Sequence, residues 1–257
     1  MNHRVLVVTT TFYQSMAETR YKLALETVKK TKEKYRMLIV DGSPDPKIKE
    51  TFHELGAKVI HQQKPGMGAS RRQLFELAHS ITDPGDVIFW VEPEKPNMID
   101  FIPELVLPIF GGFCSISIPV RTKKSWESYP ELQQISEAVV NQVFEELTGL
   151  QVDIMVGPMA IERSALPDFF GCFPEKFGVM DNYVQHIAVI VAWKNGHKIL
   201  SPGVPVDFIY PPEQKQQEEG PLFREIIRKR LWQLKQLIEA DFKVSKFLGS
   251  NKESVAA

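Results

Sequence analysis

Short apolar runs and stretches of helical periodicity alternate through the first hundred positions of the chain. The runs at 5–8 (VLVV), 37–40 (MLIV), 58–60 (KVI) and 87–91 (VIFWV) are short and unbroken, which is typical of strands buried on both faces. Helices are predicted between them, over about 16–34, over 47–55 and from 66 onward. The order βαβαβαβ predicts a parallel sheet with helices on both faces.

Local signals place the ends of these helices. Ser15 and Glu18 have capping-box spacing, so Ser15 is the expected N-cap of a helix that begins at Met16. Gly56 is expected to end the second predicted helix in a left-handed conformation.

The second half of the chain has a less regular pattern. Strands are predicted over 113–120, 153–161, 198–200 and 204–209, and a helix over 181–194. A helix that ends at Gly149 should bury one apolar face, formed by Leu132, Ile135, Val139, Val143 and Leu147. The polar stretch 211–220 is expected to be a mobile loop. A long final helix should follow over 221–248, with one apolar side formed by Phe223, Ile227, Leu231, Leu234, Ile238 and Phe242.

Size and pattern together favour one α/β domain over 1–257. We divide it into a first half (1–100), a second half (101–210) and the final helix (221–248). The chain is 43% hydrophobic and 25% charged, as is usual for a globular protein.

Charge and apolar length exclude several classes of protein. The formal net charge of -1 provides no basic field for nucleic acid, and no apolar run approaches the roughly 20 residues of a membrane span. The apolar run after the N-terminus is too short for a signal peptide, so a cytoplasmic protein is expected, with Cys114 and Cys172 as reduced thiols. The amphipathic final helix is compatible with a homodimer, and simple packing on the sheet is the alternative.

Polar residues concentrate in the loops that follow the four predicted parallel strands. These loops cover 9–13, 41–45, 61–68 and 92–95. Ligands of open parallel sheets bind outside the carboxyl ends of the strands, so a site is predicted there.

Glu92 and Glu94 follow the fourth strand, two residues apart. Such a pair can share a hard divalent cation, Mg²⁺ or Mn²⁺, which also binds substrate phosphates. The alternative is an ordinary solvated loop. The position at the end of a buried strand favours the site.

Gly66 and Gly68 precede a predicted helix that carries Arg71 and Arg72 near its start. Backbone at a helix N-terminus favours anions, and either arginine could bind phosphate oxygens. A plain loop-to-helix junction is the alternative, and the sequence lacks the Gly-Lys-Ser/Thr ending of a P-loop.

Other candidates carry weaker signals. Asp41 could accept from a nucleobase or ribose or form an Asx turn, and Thr9, Thr10 and Thr11 are also ordinary strand residues. Asp181 could act as a general base, although an N-cap explains it equally. Asp207 could reach a metal or be a surface strand residue.

The motifs in this order resemble those of GT-A glycosyltransferases, in particular family-2-like members and the mannosylglycerate-synthase type. The resemblance covers about residues 4–210. It rests on 8–12 (VTTTF), 40–43 (VDGS), 66–72 (GMGASRR), 92–94 (EPE, where the family has Asp-x-Asp), 156–166 (VGPMAIERSAL), 180–182 (MDN) and 195–199 (NGHKI).

The resemblance implies a three-layer GT-A domain that transfers a sugar from a UDP- or GDP-linked donor to an unidentified acceptor. It implies that Thr9–Thr11 and Asp41 face the nucleoside and that Gly66, Gly68 and Arg71 or Arg72 face the phosphates. Metal ligands would be Glu92, Glu94 and Asp207. Gly157, Arg163 and the catalytic candidate Asp181 would serve the substrate side.

Two other functions stay open. A sugar-phosphate nucleotidyltransferase could use a similar sheet, but such enzymes carry glycine and lysine after the first strand, and residues 9–15 (TTTFYQS) contain neither. A non-catalytic binding protein with this fold is the other alternative, because glutamates replace the usual aspartates.

Overall fold

A computed structural model describes residues 2–253 of the chain. Its first half alternates as the sequence predicts: β1 (Val5–Thr11), α1 (Thr19–Lys32), β2 (Arg36–Asp41), α2 (Pro46–Glu54), β3 (Lys58–His61), α3 (Met67–Ile81) and β4 (Val87–Trp90). The second half contains α4 (Ile102–Phe110), β5 (Ile116–Ser117), β6 (Pro119–Arg121), α5 (Lys123–Ser128), α6 (Glu131–Thr148), β7 (Met159–Glu162), α7 (Leu166–Phe170), α8 (Val184–Lys194), β8 (Val204–Val206), α9 (Pro212–Glu219) and α10 (Phe223–Glu253).

The central sheet has six strands in the order β3-β2-β1-β4-β7-β5. Strands β1 to β4 are parallel, and β7 is antiparallel to both of its neighbours. The mostly parallel α/β architecture predicted from the sequence is therefore confirmed. A separate pair, β6 and β8, is parallel.

The strand order creates a switch point between β1 and β4. The chain moves from β1 to β2 and β3 on one side and returns to place β4 on the other side of β1. Right-handed crossovers then require α3 to cover the face opposite to α1 and α2. Loops diverge at such a point, so we expect a ligand crevice at the carboxyl ends of β1 and β4.

One core cluster includes residues from both halves of the chain, from Val5 in β1 to Val244 in α10. Val7, Ile39 and Phe89 on the central strands are fully buried. No helix of the described residues is long and apolar enough to cross a membrane.

The start of α1 differs from the prediction. The capping-box groups do meet, since Glu18 Oε1 accepts from the Ser15 backbone N–H at 3.0 Å. Ser15 Oγ, however, accepts from Ala17 N–H, so these bonds close a turn before the helix and α1 begins only at Thr19. Gly56 follows α2 with a φ of 95°, as expected.

Several boundaries in the second half were predicted wrongly. The strand expected over 113–120 divides into β5 and β6, which belong to different sheets. Gly157, with a φ of 92°, interrupts the strand expected over 153–161, so only β7 forms. Of the strands expected over 198–200 and 204–209, the described structure contains a single bridge at Ile199 and the short β8. The stretch 211–220 contains the helix α9.

The buried faces of α6 and α10 were also assigned wrongly. Ile135 and Val139 of α6 and Leu231 and Phe242 of α10 are exposed. The side of α6 that faces inward is largely polar: Gln133, Ser136, Glu137, Val140, Phe144 and Thr148. These polar groups pair with one another and with α10. The apolar residues that repeat at helical spacing therefore lie on the exposed sides of the helices rather than in the core.

Candidate functional site

The ends of β1 and β2 are joined by a buried hydrogen-bond network around Asp41. Thr11 is the strand partner of Asp41. Asp41 Oδ1 accepts from Thr11 Oγ1 and from Ser43 Oγ, each at 2.7 Å, and Ser43 Oγ in turn accepts from the Tyr13 N–H. The predicted residues Thr11 and Asp41 therefore lie together, and Asp41 orders the loops that leave both strands.

The other two threonines of β1 differ in their surroundings. Thr9 is fully buried, and its Oγ1 has no hydrogen-bond partner among the described residues. Thr10 is half-buried. Phe12, which follows the strand, exposes about half of its surface. The mouth of the sheet thus carries an accessible aromatic ring.

Glu94 is buried at the end of β4 and accepts hydrogen bonds from two side chains. Its Oε1 accepts from Tyr13 OH at 3.1 Å and from Arg20 at 2.6 Å. Burial, followed by the Glu94 charge, raises the pKa of Tyr13 well above its ordinary value. Glu94 therefore links α1, β1 and β4, and its charge is already balanced.

Glu92 has a more open position, with 37% of its side chain exposed. Its Oε2 lies 2.5 Å from Lys95 Nζ, which also donates to the carbonyl oxygen of Val156. Desolvation alone would raise the pKa of Glu92, but Lys95 and Arg71 hold that pKa below its ordinary value. Desolvation likewise opposes the charge of Lys95, yet Glu92 raises the pKa of Lys95.

The backbone of Gly157 packs closely against the Glu92 carboxyl group. Its φ of 92° favours glycine, and a Cβ built on it would lie 2.8 Å from the Glu92 carboxyl carbon. The predicted substrate-side residue Gly157 therefore does lie at the site, through close approach to Glu92.

Arg71 is a buried guanidinium that forms no ion pair with any carboxylate in the described part of the chain. It is 8% exposed and stacks over the Trp90 ring at 5.2 Å. Its Nη1 donates to neutral oxygens, the Asn182 carbonyl at 2.8 Å and the Gln185 side chain, and its Nε has no partner in residues 2–253. Burial lowers the pKa of Arg71 to about 10, although Glu92 and Tyr183 oppose the shift.

Arg72, in contrast, is paired. Its two terminal nitrogens donate to the two oxygens of Asp181, Nη2 at 2.8 Å. The hydrogen bond that Arg72 donates to Asp181 raises the pKa of Arg72. Of the two arginines that the sequence left as alternatives, only Arg71 has charge available for a ligand.

Asp181 packs against the first turn of α3. A Cβ at Gly68 would lie 2.2 Å from the Asp181 carboxyl carbon, so Gly68 permits this contact, and Gly66 begins the helix with a φ of 108°. Both oxygens of Asp181 accept from Arg72, so its role as a general base stays a prediction. Its geometry is that of a residue that fastens α3 to the segment before α8.

Two predicted residues lie away from this cluster. Arg163 follows β7 beside the amino end of β4, where its N–H donates to the Asp86 carbonyl and its side chain donates to His79. That is the opposite edge of the sheet from Glu92, so the structure does not bring Arg163 together with the other predicted site residues. Asp207 is exposed between buried Val206 and Phe208, and it accepts from Thr122. Among the described residues it has no recorded contact with Glu92 or Glu94, and its assignment as a metal ligand stays a prediction.

The donor set for a cation is small. Residues 2–253 contain no group of three or more His, Cys, Asp or Glu side chains that could hold a metal ion. Among the described residues each glutamate uses one oxygen for its recorded contacts, Oε2 in Glu92 and Oε1 in Glu94, but the side chain of Glu92 is 37% exposed and that of Glu94 only 11%. Glu92 therefore fits a cation whose remaining ligands come from substrate phosphates and water, which is common for Mg²⁺.

Sequence reasoning missed the cations that surround the two glutamates. Lys95 follows them directly, and that adjacency was an available signal. Arg20 lies on α1, and nothing in its local sequence indicates that it reaches Glu94. Arg230 of α10 is buried and also lowers the pKa of Glu92.

The sequence matches no protein-family model and no curated protein. Solved structures do match. Glucosyl-3-phosphoglycerate synthase from Mycobacterium tuberculosis, in complex with Mn²⁺, UDP-glucose and phosphoglyceric acid, is 14% identical with a TM-score of 0.55, covering 90% of this chain and 79% of that one. The chain has the GT-A fold.

Two further structures support the same conclusion about the fold. The same synthase with Mg²⁺ and UDP gives 14% identity and a TM-score of 0.53, over 90% of this chain and 78% of that one. A mycobacterial protein gives 16% identity and a TM-score of 0.54, over 87% and 72%. The GT-A fold expected from the sequence motifs is confirmed by these similarities.

Proposed function

We propose that the chain binds a nucleoside-diphosphate sugar at the carboxyl ends of β1, β2 and β4 and transfers the sugar to an acceptor. The observation that carries this proposal is the buried charge of Arg71, whose recorded hydrogen bonds go to neutral oxygens. A buried cation without a counter-ion costs folding free energy, and such groups cluster at functional sites. Its place beside Trp90 and Glu92, at the switch point of the sheet, is where a diphosphate would lie.

The nucleoside would lie over the ends of β1 and β2. The Asp41 network fixes this floor, with Thr9 and Thr10 on the same strand as Thr11, and the exposed Phe12 ring offers an apolar face to a base. Arg71 would bind diphosphate oxygens, and the backbone of 66–68 at the start of α3 would add N–H donors. Arg72 and Asp181 would position this helix.

A divalent cation, Mn²⁺ or Mg²⁺, belongs to the proposal, with Glu92 as its protein ligand. Support comes from the synthase structures above, whose complexes contain these ions with UDP or UDP-glucose. When bound, such an ion stabilises negative charge on a departing diphosphate. Gly157 and Lys95 would hold the Glu92 carboxylate in place for it.

Donor turnover tests the proposal directly. The protein is incubated with UDP- and GDP-sugars and Mn²⁺, with and without phosphoglyceric acid as a first acceptor, and released nucleoside diphosphate is quantified by chromatography. We expect release from one nucleotide series. Consumption of a nucleoside triphosphate and sugar phosphate, with pyrophosphate formed, would instead show a nucleotidyltransferase.

Binding measurements separate the remaining outcomes. Calorimetry that detects tight nucleotide-sugar binding without any release, across acceptors, would identify a non-catalytic binding protein. Absence of binding for every nucleotide would contradict both the transferase function and the non-catalytic binding function.

A further inference from the structure

Both glutamates at the end of β4 are neutralised by cations of the chain itself. Lys95 pairs with Glu92, and Arg20 pairs with Glu94. Two bare carboxylates in this position would repel a diphosphate until a metal ion arrived. Here that repulsion is already offset.

The local charge is positive once Arg71 is included. Within the group formed by the two glutamates, their ion-pair partners and Arg71, the cations Arg20, Arg71 and Lys95 contribute three positive charges and Glu92 and Glu94 two negative ones, so the difference is one positive charge. Asp41, at the end of β2, lies outside this group. Arg71 supplies the excess, because its hydrogen bonds go to neutral oxygens.

Lys95 is held firmly enough to act as a fixed charge. It is 7% exposed, its Nζ bonds the Val156 carbonyl as well as Glu92, and it lies 5.9 Å from the Phe208 ring centroid. Val156 precedes Gly157, so one short segment positions both the lysine and the glutamate.

We propose that Lys95 and Arg71 let this site bind a nucleoside diphosphate without a divalent cation, so that a metal ion at Glu92 strengthens binding but is not required for it. This inference rests on the proposed nucleotide site. Removal of Lys95 should leave Glu92 uncompensated and make binding depend on metal.

Calorimetric titration of UDP and GDP into the wild-type protein provides the first test, in excess EDTA and in Mn²⁺. We expect the dissociation constants in the two conditions to differ by less than about tenfold. Binding in Mn²⁺ that disappears in EDTA would overturn the inference and leave the nucleotide site intact. Absence of binding in both conditions would instead be the failure of the proposed function.

Variants provide the second test. Lys95→Met should weaken binding in EDTA by about tenfold or more and recover it in Mn²⁺. The double variant Glu92→Gln/Lys95→Met removes both charges and should bind in EDTA nearly as wild type does, with no gain from Mn²⁺. Lys123→Met, in an exposed pair with Glu127 on α5, is the matched control and should change nothing. Equal binding by Lys95→Met and wild type in EDTA would contradict the role of Lys95.

Discussion

Arg71 keeps its charge in a place where it forms no ion pair with a carboxylate of the described residues. Its contacts are a tryptophan face and two neutral oxygens. Substitution of a buried charge by an apolar residue of similar volume is often neutral for stability. Stability and binding should therefore respond differently at this position.

We predict that Arg71→Met changes the free energy of unfolding by less than about 2 kcal/mol, since lost hydrogen bonds and lost desolvation cost oppose each other. Nucleotide affinity should fall by about 100-fold, as expected for loss of a charge-assisted contact. Urea unfolding and calorimetry measure the two quantities. Unchanged affinity in a folded Arg71→Met protein would remove Arg71 from the site.

Gly157 allows a second prediction at single-residue scale. Gly157→Ala introduces strain at positive φ and a Cβ within 3.0 Å of the Glu92 carboxylate. Gly112→Ala, at a φ of 73° with nothing within 4 Å, introduces only the backbone strain of about 1–2 kcal/mol. We expect both variants to lose that stability in thermal unfolding, whereas only Gly157→Ala should lose donor turnover. Equal turnover in the two variants would contradict a role for Glu92.

At the scale of elements, α6 meets the β6 region through buried ions. Arg121 has a fully buried side chain whose Nε and Nη2 donate to Asp153 at 2.5 and 2.8 Å, while Nη1 donates to Glu137 at 2.7 Å. Arg230 of α10 also donates to Glu137, at 3.2 Å. One carboxylate thus holds cations from two elements.

We predict that Asp153→Ala lowers the free energy of unfolding by about 3–5 kcal/mol, because it leaves the Arg121 charge buried and incompletely paired. The exposed pair on α5 provides a control, since Glu127→Ala should cost less than about 1 kcal/mol. Urea denaturation compares the two. A loss of similar size in both variants would mean that the buried network contributes no special stability.

This network also explains which elements the sequence predicts well. β1 to β4 are apolar runs bounded by turns, and short-range pattern suffices to find them. The buried faces of α6 and α10 depend on polar partners far apart in sequence, Arg230 with Glu137 and His186 with Asp241. No local periodicity contains that information, so the exposed apolar sides were mistaken for the core.

At the scale of the whole molecule, the order of the strands alone predicts the position of the candidate site, at the carboxyl ends of the parallel strands. Thr11, Asp41 and Glu92 lie at the predicted edge because parallel strands end together. Gly157 reaches the same edge because it precedes the antiparallel β7, and Arg71 lies on α3, which begins at that edge. Arg163 was misplaced because β7 runs antiparallel, which carries its carboxyl end to the opposite edge. Sequence pattern did not reveal that reversal, nor did it show which charges pair across the crevice.

The proposed transferase function requires a diphosphate to lie in the expected crevice at the carboxyl ends of β1 and β4. A crystal structure of the protein with bound UDP or GDP tests that claim most directly. We predict the diphosphate within about 3.5 Å of the Arg71 guanidinium, with the base over the ends of β1 and β2 and near Phe12. A nucleotide bound elsewhere, or one in this crevice with its phosphates turned away from Arg71, would contradict it.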